Sequence, residues 1–304
     1  MLARTKARPV AVGMLAVFAL IFPTVASVTI PGLRQLEETP IPGAPTLVVS
    51  AAPEGNPDLW LLRDGGAETI RLTDTPQAEI DAALSPSGAR VAYAVDSNGD
   101  SDIWVATLSV DGALVDRKQL TALEGDERSP SWSPNGAQIV YVWVHGGASD
   151  LRIANYYGGG SQRTITYSDS DWAPAWSPDG GSIAFSRMLS GHRDIWVYRL
   201  ETGSETAQID VPGNSDETDP IWSPDGSHLA WSSNARGDWD TYVSEPFGTG
   251  TLNLTFDPDA DDIAYGWSPD GAYVLFVSDR AHAGGSFLYF VPAGGGEPTL
   301  VSIL

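Results

Sequence analysis

Short apolar segments alternate with polar, glycine-rich turns from about residue 46 to the end of the chain. Examples are Ile183–Ser186 and Leu229–Ser232, which are rich in aliphatic and aromatic residues and are bounded by turn residues. Segments of this kind are typical of β-strands, because they are too short for stable helices. The pattern therefore predicts an all-β protein made of many short strands joined by tight turns.

The strand pattern recurs along the chain as an internal sequence repeat. The motif Ser-Pro-x-Gly occurs five times, with spacings of 48, 44, 46 and 45 residues. The copies begin at Ser85, Ser133, Ser177, Ser223 and Ser268. A second motif runs in step with the first, as in Asp58-Leu59-Trp60 and Asp194-Ile195-Trp196. A period in the mid-forties with four strands per repeat predicts a six-bladed β-propeller of four-stranded antiparallel blades.

Each Ser-Pro-x-Gly motif has the residues of a type I turn that ends on a left-handed glycine, so we expect these glycines to have positive φ. Blade one lacks this motif. Its other three strands are expected at Leu47–Ser50, Asp58–Leu62 and Thr69–Leu72. Either Val28–Leu36 supplies a closing inner strand, or blade one is incomplete and has three strands.

The ordered set Trp-Ser-Pro-Asp-Gly, Ile-Ala-Phe-Ser, Asp-Ile-Trp and Leu-Thr resembles the TolB-type (WD40-like) propeller repeat. The resemblance covers roughly residues 46–304 and is specific because the whole set recurs in order. It implies a periplasmic or secreted protein that binds other proteins, although the same repeat forms the propeller half of some serine peptidases. TolB itself carries an extra N-terminal α/β domain for which this chain has no room, so the resemblance extends to the repeat and not to a Tol–Pal role.

The first 26 residues have the composition of a targeting segment. Arg4, Lys6 and Arg8 precede an apolar run from Val10 to Phe22, and small residues follow at 24–27. This arrangement predicts a signal peptide at 1–26, with an uncleaved membrane anchor as the alternative. Residues 27–45 then form a linker or closing strand, and 46–304 form the propeller. The rest of the chain is expected outside the cytoplasm, touching a membrane only through the N-terminal segment.

Charge narrows the choice of partners. The chain has 17 basic and 39 acidic residues, which gives a net charge of −22. Such a surface repels nucleic-acid phosphates and anionic lipids and favours Ca²⁺ or basic protein surfaces. Solubility or adaptation to salt is the alternative explanation. The absence of cysteine excludes disulfides and thiol chemistry.

No catalytic motif is present in the sequence. It lacks a Gly-x-Ser-x-Gly nucleophile elbow, a phosphate-binding loop and a His-Glu-x-x-His zinc motif. The four histidines, His145, His192, His228 and His282, fall in or beside turns on different blades. We therefore interpret the protein as a non-enzymatic scaffold that binds a protein partner. A metal-dependent propeller lyase or lactonase and a cell-wall glycan-binding module are the alternatives.

Acidic residues recur in the loop that leads into each predicted inner strand. In a propeller these loops surround the channel mouth, where such residues would form a carboxylate ring that attracts basic partners. Glu79 and Asp81 are the first pair, and the others, which we predict to bind the partner, are Asp126, Glu127, Asp169, Asp171, Asp216, Glu217, Asp261 and Asp262. Alternatively, one acid per loop is a turn cap that repeats with the blade.

Two tryptophans depart from the repeated packing positions. Trp172 lies in an acidic loop and Trp239 ends a hairpin, so both are expected on the same face as the ring. Tryptophan among polar residues is typical of binding hot spots, whereas packing over a neighbouring loop is the alternative.

One hairpin resembles an oxygen-rich Ca²⁺ loop. Asp96, Asn98 and Asp100 stand at alternate positions in it, although no bidentate glutamate follows at the expected distance. We predict no cofactor, with Ca²⁺ at these residues as the alternative to an ordinary polar turn.

Overall fold

The computed structural model describes residues 46–301 except for 52–55, 64–67, 98, 158–160, 210, 212–213, 247 and 281–285. Predictions for the targeting segment and for Val28–Leu36 therefore lie outside the described residues. The described chain contains strands and turns but no helix, and its sheets form a six-bladed propeller. Among these residues, nothing has the length and apolarity of a membrane-spanning helix.

The strands follow the predicted order, four to a blade from blade two onward. Blade one comprises β1 (Leu47–Ala51), β2 (Asp58–Arg63) and β3 (Glu68–Arg71), and blade two comprises β4 (Ala78–Leu84), β5 (Arg90–Asp96), β6 (Ser101–Leu108) and β7 (Leu114–Gln119). Blade three comprises β8 (Asp126–Trp132), β9 (Gln138–His145), β10 (Ala148–Asn155) and β11 (Gln162–Thr164), and blade four comprises β12 (Asp171–Trp176), β13 (Ser182–Leu189), β14 (His192–Arg199) and β15 (Ser204–Ile209). Blade five comprises β16 (Glu217–Trp222), β17 (Leu229–Ser233), β18 (Asp240–Ser244) and β19 (Leu252–Asn253), and blade six comprises β20 (Asp262–Trp267), β21 (Tyr273–Ser278), β22 (Phe287–Pro292) and β23 (Thr299–Leu300).

The Ser-Pro-x-Gly motifs form the turns between the first two strands of blades two to six. In the turn at Ser133, the Gly136 N–H donates to the Ser133 carbonyl at 2.8 Å. The Ser133 hydroxyl oxygen also accepts a hydrogen bond from the Gln138 N–H at 2.9 Å, which ties the turn to the second strand. Gly136 has a φ of 66°, and its four counterparts are also positive, as predicted.

Tryptophans of the repeat join neighbouring blades. The indole N–H of Trp132 donates to the Ala83 carbonyl of the preceding blade at 3.1 Å. Trp222 and Trp267 make the equivalent bonds to the blades before them. Buried aliphatic and aromatic side chains from adjacent blades fill the spaces between the sheets. Large apolar surfaces are thereby removed from water at each interface, which is the main stabilising contribution.

The ring closes between blade six and blade one. The Tyr265 hydroxyl donates to the Val48 carbonyl at 3.2 Å, and Leu47 packs against the buried Leu275 cluster. Within the described residues, blade one has three strands, and β2 is the one strand that pairs with β1.

Candidate functional site

A central cavity of about 920 Å³ runs between the inner strands of blades two to six. These strands do not run straight, because the pairing register of each one shifts near its middle. Asp81, Ser129, Ala173 and Asp219 occupy the shifted positions and have φ between 49° and 55°. A bulge of this kind re-aims side chains, and here all four residues line the cavity.

Acids outnumber bases on the cavity wall. The charged residues that line it are Asp81, Asp219, Asp261, Asp279 and Arg193. Arg193 lies 3.8 Å from the carboxylate of Asp216, so part of its charge is already neutralised. The cavity consequently attracts cations.

Asp81 and Asp219 belong to blades two and five, on opposite sides of the cavity. Burial raises the pKa of each carboxyl to about 6. The negative charge of Asp81 adds to the rise at Asp219, whereas Arg193 opposes it. The Asp81 carboxylate accepts a hydrogen bond from the Ser129 N–H at 3.0 Å. Desolvation and mutual repulsion together make the ionised pair costly unless a cation approaches it.

Trp172 and Trp239 line the same cavity, together with Asp261. Trp172 also packs on the buried cluster between blades three and four, which fixes its position. The Trp239 N–H donates to the Asp261 carboxylate at 3.1 Å. The structure thus brings together two aromatic rings and one carboxylate of the predicted partner-binding set.

Three other acids of the predicted set, Asp126, Asp169 and Asp216, are at least partly exposed at the same end of the molecule. Each one forms a hydrogen bond that fixes a loop or joins two blades. Asp126 accepts a hydrogen bond from the Ser101 N–H at 3.1 Å, and Asp216 accepts one from the Arg193 N–H at 2.8 Å. Both bonds join a blade to the one before it. The Asp169 N–H donates to the carboxylate of Asp150 at 3.2 Å, which fixes the loop into blade four.

The other acids of the predicted set lie beneath the surface. Glu127, Asp171, Glu217 and Asp262 have no solvent exposure. Arg187 binds Asp171 through two hydrogen bonds of 2.6 and 3.0 Å, and Arg280 binds Asp262 at 2.7 Å. Glu127 accepts a hydrogen bond from the Leu123 N–H at 3.1 Å, and Glu217 accepts one from the Ser233 hydroxyl at 2.9 Å. The described residues that line the central cavity do not include these four acids. Their role in binding a partner stays a prediction.

Exposed apolar side chains lie at the same end of the molecule as the acidic residues of the cavity. Tyr167 is 79% exposed, Phe256 59% and Leu189 51%, and all three lie in loops or hairpins at the same end as Trp172. The Arg236 guanidinium stacks over Phe256 at 4.3 Å. We call the surface formed by Tyr167, Leu189, Phe256, Trp239 and Asp261 the channel-mouth face.

The predicted Ca²⁺ hairpin joins β5 to β6. The Asp96 carboxylate accepts a hydrogen bond from the Gly99 N–H at 2.8 Å, as in an ordinary capped turn. Asp100 is exposed, and Asn98 lies outside the described residues. In the described part of the chain, no group of three or more His, Cys, Asp or Glu residues is arranged around a common metal position. Ca²⁺ binding at this hairpin stays a prediction.

Sequence reasoning overlooked Asp219 and Arg193 as cavity residues. A signal for Asp219 was present in the sequence, because a proline stands two residues before three of the repeat tryptophans. The three prolines and the residues before them are Ser129-Pro130, Ala173-Pro174 and Asp219-Pro220. Proline in a strand indicates a bulge or an edge, since it cannot donate to the ladder. No comparable signal marks Arg193, which reaches the cavity from β14.

The sequence matches the family model described as the TolB beta propeller domain, in two overlapping segments at residues 109–260 and 148–304. Among curated proteins, no match was found.

Several solved structures have a similar fold. A protein assigned as TolB from Agrobacterium tumefaciens has 22% identity and a TM-score of 0.65, with 77% of this chain and 84% of that chain covered. An oligogalacturonate lyase in complex with manganese has 17% identity and a TM-score of 0.60, with coverages of 84% and 73%. A puromycin-hydrolysing peptidase of Mycobacterium tuberculosis has 20% identity and a TM-score of 0.59, with coverages of 86% and 44%. At these identities the likeness concerns the fold.

Proposed function

Because the chain belongs to the TolB β-propeller domain family, we propose that it is an extracytoplasmic binding protein whose channel-mouth face takes a basic segment of another protein. The observation that carries this proposal is the composition of the cavity wall, where Asp81, Asp219, Asp261 and Asp279 stand against Arg193. A partner that brings lysine or arginine side chains relieves the repulsion among these carboxylates.

Aromatic and aliphatic side chains supply the other half of a binding surface. Trp239 lines the cavity, and Tyr167, Leu189 and Phe256 are exposed at the same end of the molecule. Interfaces are typically anchored by a few large aromatic residues surrounded by polar groups, which is the arrangement found here. An apolar anchor flanked by basic residues is therefore the partner chemistry that this face fits best.

A pull-down from envelope extract compares three baits made from residues 28–304. The first is unaltered, and the second carries Trp239→Ala, Asp219→Asn and Asp279→Asn. The third is a control with Tyr157→Ala, Glu201→Gln and Glu297→Gln, which changes an exposed aromatic and two exposed acids at the opposite end of the molecule. Asparagine keeps an acceptor oxygen where Asp279 binds the Asp261 N–H at 2.9 Å.

We expect the unaltered and control baits to retain the same protein, and the face variant to lose at least about tenfold in affinity, since each hot-spot residue contributes on the order of 1–2 kcal/mol. Binding should also weaken as salt is raised. Equal capture by all three baits overturns the proposal. Manganese-dependent cleavage of oligogalacturonate by the purified protein would instead favour the enzymatic alternative, in keeping with the fold that it shares with the lyase.

A further inference from the structure

A second pocket lies between blades five and six, at the opposite end of the molecule from the channel-mouth face. It encloses about 570 Å³, which is within the range of small-ligand pockets. The turns between the first two strands of both blades and the residues after β22 form it. We call it the blade 5–6 pocket, and its lining includes Pro224, Asp225, His228, Trp267, Asp270 and Ala293.

The pocket exists because one repeated position is small in blade six. In four of the blades the residue at this position donates its N–H to the turn between the first two strands. Tyr156 donates to the Ala137 carbonyl in this way, and Ala293 donates to the Ala272 carbonyl, both at 2.9 Å. A Cβ at the next residue, Gly294, would meet no atom within 4 Å beyond its chain neighbours. The residues at the repeated position in blades two to six are Leu108, Tyr156, Leu200, Pro246 and Ala293.

The boundary between blades two and three shows what fits in this space. There the Tyr156 ring packs edge-on against Trp132, with 5.7 Å between the ring centroids, and the Arg90 guanidinium lies 5.0 Å from the Tyr156 centroid. Trp267 and His228 stand at the repeat positions of Trp132 and Arg90. Trp132 is only 6% exposed, whereas Trp267 keeps more of its surface exposed. The blade 5–6 pocket therefore has room for a six-membered ring beside an indole and an imidazole.

Two exposed carboxylates, of Asp225 and Asp270, line the same pocket. Oδ1 of Asp270 accepts hydrogen bonds from the Ser268 hydroxyl at 2.6 Å and from the Ala272 N–H at 3.0 Å. These bonds hold the pKa of Asp270 below its ordinary value, so the carboxylate is charged at neutral pH. Its Oδ2 receives no hydrogen bond from the residues that the structure describes, which leaves this oxygen for a ligand.

The charges of the lining limit the ligand further. Nδ1 of His228 lies 2.7 Å from the Ser227 hydroxyl, so Nε2 is the ring nitrogen that can contact a ligand. The described residues that line the pocket include no arginine or lysine. A ligand should therefore bring several hydrogen-bond donors and no negative charge.

We propose that the blade 5–6 pocket binds a neutral pyranose ring of a glycan. The C–H face of a pyranose packs on an indole because the aromatic face carries partial negative charge, and the surrounding hydroxyl groups donate to Asp225 and Asp270. A tyrosine ring brings one donor, so it would leave a carboxylate desolvated without a partner. The inference goes beyond the proposed function and does not depend on it, because the two sites lie at opposite ends of the molecule.

A guanidinium is the other donor-rich group that two carboxylates attract. Between blades two and three, however, the Arg90 guanidinium is held by the rings of both Tyr156 and Tyr157. Blade six has Ala293 and Gly294 at these two positions, so a guanidinium would lack both rings here. A pyranose instead occupies the volume that the missing ring leaves.

Titration calorimetry of the full chain tests the proposal with cellotriose, maltotriose and chitotriose as neutral probes and trigalacturonate as the acidic one. We expect saturable binding of at least one neutral trisaccharide. Trigalacturonate should not bind at this pocket, because the carboxylates repel it.

The variants use the repeat as their guide. Ala293→Tyr places beside Trp267 the ring that blade three carries, and it should abolish binding. Asp270→Asn should weaken binding by about tenfold, since it removes a charged acceptor. Asparagine already stands at this turn position in blade three, as Asn135, where it makes the same turn bonds. Asp179→Asn is the matched control, because Asp179 makes these bonds in blade four at 2.6 and 2.9 Å and does not line the pocket.

Thermal unfolding establishes that each variant is folded, and if Ala293→Tyr is not, the comparison of Asp270→Asn with Asp179→Asn decides. The proposal is overturned if no neutral trisaccharide binds, if Ala293→Tyr leaves binding unchanged, or if the two asparagine variants bind equally. Binding of N-acetyltyrosinamide or argininamide in place of the sugars, lost in Ala293→Tyr, would overturn it in favour of a peptide pocket.

Discussion

At the residue scale, the acids that precede or begin the inner strands look alike in the sequence, but the structure places them in two different environments. Asp126, Asp216 and Asp261 accept backbone N–H groups from the preceding blade, whereas Asp171 and Asp262 are buried against arginines. Adjacent strand residues point to opposite sides, so neighbouring acids separate into an outer and an inner set. The recurrence of the acids is visible in the sequence, but the direction of each side chain depends on where the strand begins.

Arg187 makes the cost of a buried charge measurable. It binds Asp171 and Glu205, and its guanidinium lies 5.0 Å from the ring of Phe185 and 4.9 Å from the ring of Trp196. Arg187→Leu should lower the free energy of unfolding by about 3–5 kcal/mol, because it leaves Asp171 buried without a counter-charge.

Urea unfolding measures this loss, with Arg199→Leu, an exposed arginine of the next strand, as the control. Adding Asp171→Asn to Arg187→Leu should restore part of the stability, since the uncompensated charge is removed. A loss no larger than in the control contradicts the assignment.

At the element scale, the turns were the most predictable feature. The type I turn chemistry of Ser-Pro-x-Gly depends on local residues alone, and it correctly predicts the position and the positive φ of each glycine. The bulges of the inner strands were less visible, because residues such as Ser129 and Ala173 seldom adopt a left-handed conformation. Their φ values follow from the sheet and from proline, which stands after three of the four bulge residues. The left-handed conformation of these residues is therefore set by the packing of the sheet and not by their local propensity.

Substitution of two glycines by alanine distinguishes the cost of backbone strain from the cost of steric overlap. Gly136 has a φ of 66° and open space where a Cβ would lie, so Gly136→Ala should cost about 1 kcal/mol through backbone conformation alone. Gly125 has a φ of 105°, and a Cβ there would overlap the Val144 carbonyl oxygen. Gly125→Ala should therefore cost about 2–4 kcal/mol.

Thermal and urea unfolding of both variants provide the comparison. Equal losses at the two positions would contradict the packing described between the loop before β8 and the end of β9.

At the scale of the whole molecule, the repeat length and motif order were enough to predict a six-bladed ring, and the described blades confirm it. The order of β1, β2 and β3 in blade one was also predicted. The set of residues that line the central cavity could not be predicted. Asp219 and Arg193 come from neighbouring blades, and their meeting depends on how blade five packs against blade four rather than on any local pattern. Asp81 and Asp219 come from blades two and five, and no pattern along the chain indicates that they face each other across the cavity.

The two ends of the propeller differ in chemistry, which makes the central claim testable in one measurement. A photo-reactive amino acid is placed at Phe256, on the channel-mouth face, or at Tyr157, at the opposite end, where the side chain is similarly exposed. Each protein is irradiated in envelope extract, and the cross-linked chains are identified by mass spectrometry. We predict a cross-link from position 256 to a basic segment of a partner protein, lost when Asp219→Asn and Asp279→Asn are added, and none from position 157. A partner captured from position 157, or from both positions alike, would contradict binding through the channel-mouth face.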